Sequence, residues 1–130
     1  MAGKSTYLAN GVLNHILKTG NLAVPTNIYV ALYTTPPTDD GNNGVEPSGN
    51  AYGRIVKNTW DNAAAGATEN TGAITFNQAS GDWGNIVAVG LWDNVTAGNL
   101  LYSNNLTTPK TVNSGDTAEF ADGALDITET

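Results

Sequence analysis

Few residues of this 130-residue chain combine the type and the spacing that chemistry requires. Gly3-Lys4-Ser5 has the residues that end a phosphate-binding loop, but neither a strand nor an upstream glycine precedes it, so we interpret Ser5 as a helix cap. The stretch 39–44 resembles a calcium loop. It has Gly41 where a ligand is needed and Asn50 instead of the bidentate glutamate, which excludes an EF-hand. We predict a solvated turn, with an irregular oxygen-ligand cation site as the alternative.

The histidine, cysteine and carboxylate content gives little support to catalysis. His15 is the only histidine and cysteine is absent, so a zinc site or a Ser-His-Asp triad would depend on distant partners for one imidazole. We predict a surface or core-edge role for it on a helix. Asp82, Asp93, Asp116 and Asp122 lie beside turn residues, which is typical of turn capping rather than of a glycosidase pair. We expect no enzymatic activity, no metal and no cofactor.

Each of the three tryptophans has an acidic neighbour in the chain. Trp60, Trp83 and Trp92 are followed or preceded by an aspartate at the end of a predicted strand. An indole beside a carboxylate can bind a sugar by stacking and hydrogen bonding, but it also packs the edge of a sandwich while the acid caps a turn. We favour packing, and glycan contact is the alternative.

The charge balance argues against two classes of partner. The chain has 12 acidic and 5 basic residues, a formal net charge of −7, and the basic residues are scattered. A nucleic-acid surface needs clustered positive charge, so we expect no nucleic-acid partner. No apolar run reaches membrane-spanning length, and the N-terminus lacks the apolar core of a signal peptide. We expect no membrane association and synthesis in a cytoplasm.

The composition and patterning predict an all-β domain spanning residues 1–130. The 17 Asn, 17 Thr and 15 Gly favour turns and exposed strand faces. Apolar spacing predicts one helix over residues 5–19, capped by Ser5 and ended by Gly20. The predicted strands are 27–33, 52–58, 71–76, 86–92, 100–106, 110–112 and a final hairpin of 118–120 with 124–128. We predict a two-sheet antiparallel sandwich of jelly-roll type with one N-terminal α-helix.

Two of these strands, 27–33 and 86–92, are apolar on both faces. Strict alternation places Ile86 on the same face as Trp92 in the second of them. The outer face of a strand in a free-standing sandwich is expected to be polar. The helix covers part of one sheet, so we expect a neighbouring subunit to cover the remainder.

The polar segment 36–52 is too long for a hairpin, and loops of this length are usually functional or mobile. Ordering such a loop on a small domain costs conformational entropy unless a partner binds it. The alternative is a mobile surface loop without a partner. We predict intermolecular contacts from Pro36, Pro37, Asn42, Asn43, Glu46, Tyr52, Arg54 and, on the adjacent turn, Trp83.

Six segments in order carry a resemblance to a known family. They are STYLANGVLN (5–14), IYVALYTTPPT (28–38), EPSGNAYGR (46–54), DWG (82–84), GLWD (90–93) and GNLLY (98–102). Together they resemble small virion proteins of tailed bacteriophages, variously labelled tail fibre protein or structural protein. The chain departs from that pattern at Pro47 and at Gly53-Arg54.

The resemblance implies a non-enzymatic component of the virion, made in the bacterial cytoplasm. The first expectation is a capsid decoration, or cement, protein that bridges capsomers, with the major capsid protein and itself, as a homotrimer, for partners. Compactness, acidity and the doubly apolar strands favour it. The alternative is a tail or fibre module that recognises a glycan or protein of the host surface.

Overall fold

The computed structural model describes residues 3–129, and within that span the chain forms one helix and nine strands. The elements are β1 Gly3–Lys4, α1 Thr6–Ile16, β2 Tyr29–Tyr33, β3 Ile55–Val56, β4 Ala67–Glu69, β5 Ile74–Thr75, β6 Gly84–Trp92, β7 Leu100–Val112, β8 Glu119–Phe120 and β9 Asp126–Thr128. No helix in these residues has the length and apolar character needed to span a membrane.

Helix α1 begins where the sequence predicts and ends earlier. The Ser5 hydroxyl accepts a hydrogen bond from the Leu8 backbone N–H at 3.1 Å and donates to the Leu100 carbonyl, so the predicted cap is confirmed. The helix ends at Ile16 because Lys18, with φ of 66°, adopts the left-handed conformation predicted for Gly20. The predicted helix end at residue 19 was wrong.

Five strands form the main antiparallel sheet in the order β1-β7-β6-β2-β3. Strand β6 is central, and Leu91 pairs with Val30 on one side and with Tyr102 on the other. The main hydrophobic core lies on one face of this sheet and includes Leu8 of the helix and Trp83.

The remaining strands form two short antiparallel ladders, β4 with β9 and β5 with β8. The predicted hairpin of 118–120 with 124–128 was therefore wrong. The buried Asn70 side chain explains the difference: its amide donates to the carbonyls of Gly72 and Ala121 at 2.7 and 3.0 Å, and it accepts from the Leu125 N–H at 2.9 Å. These bonds hold the 121–125 turn against the start of β5. The all-β antiparallel class is confirmed, while this strand pairing does not confirm a jelly roll.

A register shift in β6 moves one predicted core residue to the other face. Ile86 pairs with Lys110 and Ala88 with Asn105, so residues 106–109 of β7 bulge opposite Val87. Strict alternation is broken, and Ile86 packs in the main core rather than beside Trp92. A second cluster occupies the opposite face and consists of Ala31, Tyr33, Ala88, Trp92 and Leu100.

Candidate interaction surface

Residues 34–54, here called the covering loop, lie over the second cluster. A Cβ atom placed on Gly44 would stand 2.8 Å from the Tyr33 ring, and one on Gly41 would stand 3.5 Å from the Trp92 ring, so the loop backbone packs directly on both aromatics. Ala31 is 0% and Trp92 7% exposed. The chain itself thus covers the face for which the sequence predicted a neighbouring subunit, and the doubly apolar strands no longer require one.

The two large aromatics of the second cluster are hydrogen-bonded to each other. Trp92 Nε1 donates to the Tyr33 hydroxyl at 2.5 Å. Burial raises the pKa of Tyr33 to about 12, and the tryptophan N–H only partly offsets that effect. The phenol therefore stays neutral and its polar atom is satisfied beneath the loop.

Arg54 fastens the covering loop to the sheet. Its Nε and Nη2 donate to the two carboxylate oxygens of Glu46 at 3.1 and 2.8 Å, a bidentate ion pair. Its Nη1 donates to the carbonyls of Asn94 and Ala97 at 2.9 and 3.0 Å. The guanidinium carbon lies 4.1 Å from the centroid of the Trp92 ring. One side chain thus joins the loop, the sheet and the 93–99 turn.

Tyr52 connects the same ion pair to the main core. Its hydroxyl donates to Glu46 Oε1 at 2.6 Å and accepts from the Leu32 N–H at 3.0 Å. Its ring meets Trp83 edge-on, with centroids 5.2 Å apart. Burial, followed by the hydrogen bond to the Glu46 carboxylate, raises the pKa of Tyr52 well above its usual value. The loop is consequently bound to both faces of the sheet.

The tip of the covering loop is an exposed turn, as predicted. Asp40 Oδ1 accepts from the Thr38 hydroxyl at 2.5 Å and from the Asn42 N–H at 3.0 Å, and the Thr38 bond is the main reason that the pKa of Asp40 lies below its usual value. The Thr6 N–H donates to the Asp39 carbonyl at 2.9 Å, which ties the turn to the start of α1. Over residues 3–129 no group of three or more histidine or acidic side chains is placed to hold a metal ion.

The structure separates the residues predicted to make contacts into three groups. Asn42 and Asn43 are exposed at the tip. Pro37 and Trp83 are buried, and the Trp83 indole N–H donates to the Asn50 carbonyl at 2.8 Å in the main core. These two side chains have little surface to offer a partner. The half-buried residues are Pro36, Glu46, Tyr52 and Arg54. That the covering loop contacts a partner stays a prediction, and the residues available for such a contact are Asn42 and Asn43 at the tip.

The tryptophans pack, as favoured above, and the aspartates beside Trp83 and Trp92 cap turns, whereas Asp61 beside Trp60 accepts from the Thr71 hydroxyl. Trp60 Nε1 donates to the Lys57 carbonyl at 2.9 Å against the main core. Asp93 Oδ1 accepts from the Asn99 N–H at 2.7 Å, and Asp82 Oδ1 accepts from the Ser114 N–H at 2.9 Å. The indoles of Trp83 and Trp92 are buried, which removes them as stacking surfaces for a sugar.

A groove that the sequence did not reveal opens between β7 and the C-terminal strands. Its volume is about 450 Å³. Asn104, Thr107 and Asp126 are among its polar lining residues, and Leu125 and Ile127 are among its apolar ones. Strands β7 and β9 belong to different sheets and are not paired with each other, so no local signal in the sequence identifies the groove between them.

The helix, the covered sheet and both ladders fall almost entirely within residues 3–128. That span matches the family described as podophage GP4 fiber I protein gp80. The chain belongs to this family. The fiber I match confirms the resemblance to phage virion structural proteins, and the protein is part of the virion. No curated protein matches the chain.

Proposed function

We propose that this protein is a non-enzymatic structural subunit of the phage fibre. The observation that carries the proposal is the match to the fiber I family, which extends over residues 3–128. The fibre function was the alternative expectation from the sequence, and capsid decoration was the first.

The covering loop supports this ordering of the two functions. Decoration was favoured partly because β2 and β6 were expected to need cover from a neighbour. Glu46 and Arg54 instead close the covering loop over the second cluster, and Tyr33 is 2% exposed without any partner. The argument from the doubly apolar strands, one of the three that favoured the capsid lattice, is therefore removed, while the family match favours the fibre.

The internal closure also suits a module that must keep its shape. Arg54 spans three segments with four hydrogen bonds and a ring contact, and Tyr52 links them to the core. Because a partly buried network with several mutual hydrogen bonds has few alternative arrangements, it favours one rigid geometry. The tip residues Asn42 and Asn43 are then presented on a fixed base.

Immunogold labelling of intact virions tests the proposal. An epitope inserted after Asn62, in the exposed stretch 61–66, avoids the covering loop and the main core. We expect gold particles on the tail fibres. Label spread over the head would contradict the fibre proposal and favour binding to the major capsid protein. Wild-type virions without the epitope provide the control.

A further inference from the structure

One side of helix α1 leaves large apolar side chains in solvent. Leu13 is 58% exposed and Ile16 and Leu17 are each 67% exposed. Their i, i+3, i+4 spacing places them together on the helix, whereas Leu8 and Val12 pack on the main core. We call Leu13, Ile16 and Leu17 the helix face. An exposed apolar cluster of this kind is typical of an interaction site.

The distribution of charge sets this region apart from the rest of the molecule. All twelve carboxylates of the chain lie at or beyond Asp39, so residues 1–38 contain none, although the net charge is −7. Among residues 3–129, two contacts of acidic residues lie at the opposite end of the helix: Glu129 pairs with Lys4, and the Asp39 carbonyl accepts from the Thr6 N–H. The helix face belongs to a carboxylate-free part of an acidic protein.

We propose that further copies of this chain cover the helix face. Two copies that each carry a charge of −7 repel each other, and the repulsion is smallest where carboxylates are absent. A surface that meets the same surface of another copy must also be self-complementary, a condition that apolar side chains satisfy. A basic partner would instead be attracted to the carboxylate-rich remainder of the molecule.

This self-association is independent of where the protein lies in the virion. It also differs from the association predicted from the sequence, because that prediction placed the contact on strands that the covering loop has since been found to cover. In the homotrimer expected from the sequence, the three helix faces would meet at the three-fold axis.

Sedimentation velocity of the purified full chain tests the proposal over a wide concentration range. The double variant Ile16→Gln, Leu17→Gln removes apolar surface without changing the charge, and glutamine preserves helix propensity. We expect the wild type to form oligomers whose fraction rises with concentration, and the variant to remain monomeric. The matched control, Val56→Gln with Val95→Gln, changes two side chains that are 51% and 46% exposed elsewhere and should associate like the wild type.

Three results would overturn the proposal: a wild type that stays monomeric at submillimolar concentration, a helix variant that associates as strongly as the wild type, or a control variant that loses association equally.

Circular dichroism checks that each variant is folded, and Ile16→Ala with Leu17→Ala replaces the glutamine variant if that one unfolds. Added salt should maintain or strengthen association, because it screens repulsion between acidic copies. A failure here leaves the labelling result on virions unaffected, so the two proposals fail separately.

Discussion

The guanidinium of Arg54 lies over the ring of Trp92, 4.1 Å from its centroid, while the indole N–H of the same ring donates to Tyr33. The arginine also holds Glu46 in a bidentate pair, so a residue of the covering loop and a residue of the central strand are fixed together. This relationship explains how a sheet that is apolar on both faces is covered within a single chain.

We predict that Arg54→Ala destabilises the protein by about 2–4 kcal/mol, because it leaves Glu46 and two backbone carbonyls without their cation beneath the loop. Arg54→Lys should recover only part of the loss, since an ammonium cannot make the bidentate contact. Urea unfolding monitored by tryptophan fluorescence measures both. Lys110→Ala, an exposed cation, is the control, and equal losses for the two alanine variants would contradict the role of Arg54.

Gly90→Ala should destabilise the protein by about 1–3 kcal/mol through overpacking. A Cβ atom on Gly90 would stand 2.9 Å from the Tyr33 ring and 3.2 Å from Leu100 Cδ1. Gly53→Ala is the matched control, because a Cβ there has no atom within 4 Å, and it should change stability by no more than about 0.5 kcal/mol. Similar thermal midpoints for the two variants would show that the second cluster is not tightly packed.

Stability should fall as the pH rises above about 10, the ordinary pKa of tyrosine. Burial raises the pKa of Tyr33 to about 12 and that of Tyr52 further, so the folded protein holds protons that the unfolded chain releases. This stabilisation is complete below the unfolded pKa and is lost as the pH approaches the folded values. Urea midpoints at neutral pH and near pH 11 measure the decrease.

The variant Tyr52→Phe should reduce the alkaline decrease, because it removes one of the buried phenols. Tyr7→Phe, which changes a phenol that is 42% exposed, is the control and should leave the decrease as in the wild type. An unchanged midpoint in the wild type between neutral pH and pH 11 would rule out this linkage.

Asn42→Arg should weaken incorporation of the protein into virions while leaving its thermal midpoint unchanged, if the tip of the covering loop makes contacts in the particle. Asn42 is exposed, and its side chain contributes only a minor hydrogen bond to the exposed carboxylate of Asp40, which an arginine can also contact. A large cation at position 42 therefore mainly disturbs what lies outside the chain. Asn62→Arg in another exposed loop is the control. Equal incorporation of both variants would place the contact elsewhere.

Local signals in the sequence predicted local features correctly. Ser5 was recognised as a helix cap and Asp93 as a turn cap, because each accepts from a backbone N–H that is three or six residues away. Asp82 also caps a turn, but that turn is 32 residues away in the chain. The end of the helix was misplaced because lysine adopts the left-handed conformation at position 18 without a sequence signal for it.

Features that depend on distant residues could not be predicted. The hydrogen bonds of Asn70 redirect the C-terminal strands across about 50 residues of chain, and the bulge opposite Val87 reverses the face of Ile86. The ion pair of Glu46 with Arg54 could have been predicted, since both residues were expected at the loop. Their role in holding the loop to the rest of the chain could not, because it depends on the distant turn that contains Asn94 and Ala97.

Cryo-EM reconstruction of the intact virion tests the fibre assignment most directly. The five-stranded sheet with α1 and the covering loop gives a shape that can be fitted to density at side-chain or secondary-structure detail. We predict that this shape fits density in the fibre and that the helix face meets another copy of the same chain there. A fit to density repeated over the capsid lattice, with none in the fibre, would contradict the assignment.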